Sequence, residues 1–186
     1  TIVDSPDLNA QECRSWDDLF APPGQPVRVA IEGRYEAEEG GPIRLAGMPK
    51  GRVWSQNMQG WGPYWSGNTQ LIWMCREQSL ELTLSFDATE AGRGLRFGFT
   101  KAPDYGIFEI YLDGKKLEDS VDLFDSKVIR AADHELSNLQ IPKGSHTLKF
   151  KCVGKRQQSR SFLFGMDYIE VTGRVPAAKS EVAGLS

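Results

Sequence analysis

Several features that would identify a metalloenzyme, a redox protein or a membrane protein are missing from this 186-residue chain. It has two histidines, His134 and His146, which are too few for a three-histidine metal centre. Its three cysteines form no CxxC pair, so neither a zinc knuckle nor a thioredoxin motif is indicated. No apolar run approaches the roughly 18 residues of a membrane span, and a net charge of −3 gives no general reason to bind nucleic acid. These absences favour a small extracellular module over an enzyme with its own cofactor.

Alternation of apolar and polar residues, the pattern of a half-buried strand, recurs along most of the chain. About nine or ten short strands with almost no helix predict an all-β fold, an antiparallel two-sheet β-sandwich of the jelly-roll type. The Asp113-Gly114 pair after one such run predicts a hairpin turn. The side chains expected to face the core are Leu80, Leu82, Leu84, Leu95, Phe97, Phe99, Ile110, Leu148 and Phe150.

The chain divides into three parts by composition. Residues 1–26 are expected to form a short amphipathic helix, begun by Ser5-Pro6, and a proline-rich linker. Residues 27–175 carry the strand signals of the sandwich, and residues 176–186 are small and polar like a flexible tail. Cys75 and Cys152 each end an alternating run, which favours burial of both, although one disulfide among the three cysteines stays open.

Aromatic residues are concentrated in one irregular segment. Residues 55–69 are rich in Gly, Pro, Asn and Ser, which predicts a loop and excludes a regular strand. Trp61 and Tyr64 lie in this loop, together with the amides of Asn57 and Gln59. Flat rings beside amides suit a sugar, because the C–H face of a pyranose stacks on the ring while amides bond the hydroxyls. Alternatively, these rings and Trp65 fold back to cap the end of the sandwich.

A second loop, residues 101–106, joins two clear strand signals and carries Asp104 and Tyr105. Because loops of a sandwich cluster at its two ends, this loop is expected to lie beside the tryptophan loop. Asp104 and Tyr105 therefore join Asn57, Gln59, Trp61 and Tyr64 as candidate ligand-binding residues. A plain turn explains the same segment without a ligand. The basic residues between 151 and 160 are expected at a solvated hairpin tip, with an acidic glycan or a partner protein as the alternative.

Four segments resemble one family of modules. Residues 35–38 (YEAE) and 165–171 (GMDYIEV) resemble the opening and closing strands of galactose-binding-like β-sandwich modules, including carbohydrate-binding modules of families six and thirty-five. Residues 65–71 and 100–106 resemble a variety attached to secreted bacterial glycoside hydrolases. The resemblance implies a non-catalytic module that holds a larger protein on a polysaccharide or oligosaccharide. It also implies an extracellular, periplasmic or cell-surface location.

Calcium is the one cofactor that the sequence suggests. Acidic residues cluster on an early strand and recur on the last one, and carboxylate oxygens suit Ca²⁺. The family resemblance implies a structural Ca²⁺ held by Glu36, Glu38 and Asp167.

Three functions stay open on the residues alone. A carbohydrate-binding module accounts for the aromatic loop. A structural or oligomerising sandwich, whose aromatic loop meets another protein domain, is the second alternative. A small hydrolase is the third, but it needs two convergent carboxylates or a nucleophile with its base, and no motif specifies either.

Overall fold

The computed structural model describes residues 33–38 and 41–175. These residues form twelve strands and two short 3₁₀ helices, Gln59–Trp61 and Ser66–Asn68. The strands are β1 Arg34–Glu36, β2 Arg44–Leu45, β3 Val53–Asn57, β4 Thr69–Trp73, β5 Glu81–Ala88, β6 Gly94–Lys101, β7 Ile107–Leu112, β8 Lys115–Asp122, β9 Ile129–Arg130, β10 His134–Leu136, β11 Gly144–Gly154 and β12 Phe164–Thr172. Among the described residues, no helix has the length and apolar character needed to cross a membrane.

Two antiparallel sheets make a sandwich, as the alternation predicts. The larger sheet has seven strands in the order β10-β6-β12-β4-β3, with β1 paired to β12 and β9 paired to β6. The smaller sheet has five strands in the order β2-β5-β11-β7-β8. The predicted all-β sandwich is therefore confirmed.

The core lies between the two sheets and contains the predicted side chains. Eight of the nine expected core residues are fully buried, and Leu80 is half-buried against them. Rings from both sheets meet there, since Phe150 of β11 contacts Phe164 of β12 with centroids 4.6 Å apart. Cys75 and Cys152 are also buried, as free thiols. The hydrogen bond with Cys152 and burial raise the pKa of the Cys75 thiol, which makes it a poor nucleophile.

The predicted hairpin turn is present after β7. Asp113 and Gly114 have φ angles of 48° and 83°, which a two-residue turn of this type requires. The Asp113 carboxylate accepts a hydrogen bond of 2.8 Å from the Thr147 N–H, which ties the turn to β11.

The sequence reading of residues 55–69 as entirely irregular is wrong at its start. Residues 53–57 form β3, which pairs along its whole length with β4. Polar residues such as Gln56 and Asn57 are tolerated because β3 is the edge strand of its sheet. The sequence also does not predict β8, β9 and β10, because none of them has a run of alternating apolar residues. The predicted N-terminal helix and C-terminal tail lie outside the described residues.

Candidate functional site

A cleft of about 970 Å³ lies on the larger sheet. One wall comes from the loop between β3 and β4, and the other from residues 128–133, which include β9. Residues of β1 and β12 form the floor. The cleft is lined by Arg34, Trp61, Tyr64, Trp65, Ser66, Val128, Ile129, Arg130, Ala131, Ala132, Asp133, Asp167 and Tyr168. On β6, Phe97 and Phe99 point into the core, so the intervening Gly98 and the following Thr100 face the cleft side.

Two consecutive residues fix the aromatic loop over the sheet. The buried Trp65 indole N–H donates a 2.7 Å hydrogen bond to the Thr100 hydroxyl. The backbone N–H of Ser66 donates to both carboxylate oxygens of Asp167, at 3.0 and 3.1 Å. The Ser66 hydroxyl also donates to Glu36, at 2.9 Å. The first wall, whose regular structure is limited to the two short 3₁₀ helices, is therefore anchored to the strands beneath it.

Arg130 holds the second wall in place. Its guanidinium donates to Asp167 at 3.0 Å and to Asp133 at 2.8 Å. Its third contact is the Ala131 carbonyl, at 2.5 Å. The group lies directly above Gly98, where an added Cβ would come within 2.5 Å of its Nη2 atom. The glycine therefore leaves the space in which this arginine links the strand β12 to the cleft wall.

A β-bulge brings Asp167 into the cleft. The pairing of β12 with β6 shifts register between Met166 and Tyr168, so the extra residue Asp167 has no partner opposite it. Its side chain is 2% exposed. Burial, which penalises the charged form, raises the pKa of Asp167 to about 6, although the hydrogen bonds from Ser66 and Arg130 act in the opposite direction.

Asp133 lies in a different environment. Partial burial acts to raise its pKa, but the hydrogen bonds from Arg130 and Tyr168 outweigh this effect and hold the pKa below its usual value. The Tyr168 hydroxyl donates to Asp133 at 2.9 Å, and the guanidinium of Arg34 lies 3.8 Å from the centre of the Tyr168 ring. Both aspartates of the cleft are thus bound to Arg130.

Two of the predicted aromatic residues are exposed at the cleft. Trp61 is 45% exposed and Tyr64 is 68% exposed, and both line the cleft. Within the described residues, no other aromatic side chain is as exposed as these two. Trp65 is buried, so the alternative interpretation applies to that residue.

The prediction of Tyr105 as a stacking ring is wrong. Tyr105 is buried, and its hydroxyl accepts a hydrogen bond of 2.9 Å from the Gln70 amide. The space for it comes from Gly165 on β12, since a Cβ there would lie 2.6 Å from the Tyr105 hydroxyl. Gln70 in turn donates to Gln56 at 2.8 Å and accepts from the Thr100 hydroxyl. Tyr105 therefore belongs to a polar network beneath the aromatic loop.

The other predicted ligand-binding residues, Asp104, Asn57 and Gln59, do not all lie at the cleft. Asp104 and Tyr105 line a side pocket of about 90 Å³ that also includes Trp61. The two loops therefore meet, as expected. Asn57 accepts a 2.8 Å hydrogen bond from the Gln59 N–H, which shapes the first 3₁₀ turn. Neither Asn57 nor Gln59 lines the cleft or the side pocket.

The three carboxylates predicted to hold calcium are only partly brought together. Ser66 contacts both Glu36 and Asp167, while Glu38 accepts from the Thr69 hydroxyl at 3.3 Å. Asp167 already has a cation, the Arg130 guanidinium, at 3.0 Å. In the part of the chain that the structure describes, no three acidic, histidine or cysteine side chains form a group that could hold a metal ion. This arrangement does not fit calcium at these residues, and the calcium site stays a prediction from the resemblance.

Thermal unfolding with and without Ca²⁺ tests whether a calcium ion binds at these carboxylates. A ligand bound only by the folded state stabilises it by about 2.7 kcal/mol at a hundredfold excess over its dissociation constant. Because Arg130 already neutralises Asp167, we expect the same Tm in excess chelator and in millimolar Ca²⁺. A Tm that falls by several degrees in chelator, and recovers with Ca²⁺ but not with Mg²⁺, would instead establish the calcium site.

Comparison with solved structures supports the fold. Part of a xanthan lyase from Paenibacillus superposes with a TM-score of 0.63 at 19% identity, over 81% of this chain and 14% of that enzyme. A family 35 carbohydrate-binding module from Clostridium thermocellum gives 0.48 at 18% identity, over 75% of this chain and 97% of the module. A cycloisomaltooligosaccharide glucanotransferase from Paenibacillus sp. gives 0.49 at 17% identity, over 77% and 19%. The likeness to this part of the xanthan lyase shows a shared fold.

No protein-family model and no curated protein matches the chain. This chain spans about one seventh of the length of the xanthan lyase.

Sequence reasoning misses the charged half of the cleft. Arg34 lies on β1, Arg130 on β9 and Tyr168 on β12. Asp133 lies in the loop before β10, and no local motif connects these four residues. One usable signal lies in the last strand. Its apolar residues continue on both sides of Asp167, but the strict alternation breaks at residues 165–168. Such a break is typical of a bulge that redirects a side chain.

Proposed function

We propose that the protein is a non-catalytic carbohydrate-binding module whose ligand lies in the cleft against Trp61 and Tyr64. The observation that carries the proposal is that the two exposed aromatic rings line the same cleft. Aromatic rings that line a concave site are typical of ligand-binding clefts. The polar floor beside these rings supplies groups that bond sugar hydroxyls in pairs.

The chemistry of the cleft favours binding over catalysis. Hydrolysis of a glycosidic bond needs one carboxylic acid and one carboxylate on either side of the bond. The two carboxylates that line this cleft, Asp133 and Asp167, are both held by Arg130. We therefore assign the cleft to recognition alone.

The proposal extends to the protein's setting. A module of this kind holds a larger secreted or surface protein on polysaccharide, outside the cell, in the periplasm or at the cell surface. A domain of this fold does form part of a longer enzyme, the Paenibacillus xanthan lyase. The expected affinity is weak, because one stacked ring contributes about 1–3 kcal/mol by analogy with base stacking. Several copies on one polymer would then be needed for stable attachment.

The test is a glycan array followed by titration of the ligands that it identifies. Trp61→Ala should lower the affinity at least tenfold, which corresponds to about 1.4 kcal/mol, because the stacking surface is lost. The melting temperature should stay within a few degrees, since the ring is 45% exposed. Trp54→Ala is the matched control, because this half-buried tryptophan lies on β3 outside the cleft.

The possible outcomes separate the proposal from its alternatives. Equal glycan affinity of Trp61→Ala and the wild type would show that the ligand does not stack on Trp61 in the cleft. Unfolding of Trp61→Ala would show that the ring is structural, and Tyr64→Ala, whose ring is 68% exposed, would then carry the test of the cleft. A protein that ignores a broad glycan panel but elutes as a dimer in size-exclusion chromatography would support the structural alternative.

A further inference from the structure

The side pocket next to Trp61 gives information about the ligand itself. It has a volume of about 90 Å³ and shares Trp61 and Val128 with the cleft. A volume of this size equals the space of about three water molecules, at about 30 Å³ each. A sugar stacked on Trp61 can therefore place one small substituent in the side pocket, whereas a second sugar ring is too large for it.

One part of the side pocket is apolar. Besides the indole of Trp61, its lining contains the side chains of Met58, Ile72, Ala102 and Val128. Met58, Ile72 and Ala102 are buried, so this surface is part of the fixed structure. An apolar wall of this kind suits a methyl group better than a hydroxyl, which would lose its hydrogen bonds to water there.

The polar lining leaves two donors and one acceptor. The Tyr105 hydroxyl accepts from the Gln70 amide and keeps its own O–H as one donor. The carbonyl oxygen of Gln56 accepts from Gln70, which leaves the Gln56 amide N–H₂ group as a donor. Within the described residues, neither that amide nitrogen nor the Asp104 carboxylate has a hydrogen-bond partner. The pocket thus combines an N–H donor, a carboxylate acceptor and an apolar surface.

These three features match the three parts of an acetamido group. Its carbonyl oxygen accepts from an amide N–H, its own N–H donates to a carboxylate, and its methyl group packs on apolar side chains. An anionic substituent such as a uronate is disfavoured, because it would face the Asp104 carboxylate. We propose that the side pocket receives the acetamido group of an N-acetylated amino sugar whose ring stacks on Trp61. This inference rests on the proposed glycan binding and names its substrate class.

The experiment compares matched pairs of sugars that differ only in this substituent. The β-1,4-linked trimers of N-acetylglucosamine and of glucose form one pair, and the methyl glycosides of N-acetylgalactosamine and of galactose form another. Each is titrated into the wild-type protein by calorimetry or by NMR. We expect at least one N-acetylated member to bind at least tenfold more tightly than its parent, since a site built to bond an N–H rejects the analogue that lacks it.

Two variants of Asp104 connect the preference to the side pocket. Asp104→Leu has a similar size but no acceptor, and should reduce the preference to less than threefold. Asp104→Asn keeps an acceptor oxygen and should retain most of the preference. Asp104 is half-buried on a loop, so neither change removes a core contact.

Each alternative outcome has a distinct meaning. Equal binding of both members of each pair overturns the acetamido proposal but leaves glycan binding intact. The same holds if only other sugars of the array bind, through Trp61. A preference that survives unchanged in Asp104→Leu also overturns it. If no sugar binds at all, the proposed function fails and this inference fails with it.

Discussion

Replacing Arg130 by alanine is expected to destabilise the protein by about 3–5 kcal/mol, because it leaves a buried carboxylate without its partner. The Asp167 side chain is 2% exposed and that of Arg130 is 11% exposed, and their 3.0 Å ion pair lies under the cleft. The same change also removes the donor to Asp133 that holds the second wall. Urea unfolding, followed by tryptophan fluorescence, measures the free energy of unfolding.

A second substitution and a matched control separate this effect from a general one. Asp167→Asn in the Arg130→Ala background should restore much of the loss, because no buried charge then remains. Arg44→Ala breaks another arginine–carboxylate pair, with Asp87, whose side chains are 56% and 54% exposed. It should leave the free energy of unfolding almost unchanged, because exposed ion pairs contribute little to stability. A loss below about 1 kcal/mol for Arg130→Ala would contradict the pairing described above.

Replacing Gly165 by alanine is expected to cost about 1–3 kcal/mol, the usual range for overpacking. A Cβ at this position would lie 2.5 Å from the Gln70 carbonyl oxygen and 2.6 Å from the Tyr105 hydroxyl. Both partners are buried in the same network, so neither can move without breaking a hydrogen bond. Thermal unfolding is a direct measurement of the loss.

Gly60 provides the matched control for this change. A Cβ there would meet no atom within 4 Å, and the residue is exposed. Gly60→Ala should therefore be neutral or slightly stabilising, because alanine restricts the unfolded chain. If Gly165→Ala proves as harmless as Gly60→Ala, Tyr105 does not lie against Gly165.

Local patterns were sufficient to predict the sandwich. The alternation from Leu82 to Phe86 specifies one buried face, since a shift of one residue would expose the whole set. The Asp113-Gly114 pair predicts its turn because both residues tolerate positive φ angles. Strand β3 escaped prediction because its polar residues read as loop, and only its edge position makes them compatible with a strand.

The site was predictable only where it is local. The composition of residues 55–69 predicts the loop that carries Trp61 and Tyr64, but it does not separate these exposed rings from the buried Trp65. The burial of Tyr105 depends on Gly165, 60 residues away. The position of Arg130 depends on Gly98 and on the bulge at Asp167. Contacts of this kind depend on how the strands are paired, and local sequence patterns do not determine that pairing.

The most direct test of glycan binding at the cleft is an NMR titration of the indole N–H signals. The chain has five tryptophans, and Trp61→Phe identifies the signal of Trp61 by its disappearance. With a glycan from the array, the Trp61 signal should shift in a saturable manner. The signal of Trp73, whose N–H is bonded to the Lys50 carbonyl at 2.8 Å, should stay in place. A glycan that binds while the Trp61 signal stays fixed, or that shifts Trp54 alone, would contradict the assignment of this cleft as the binding site.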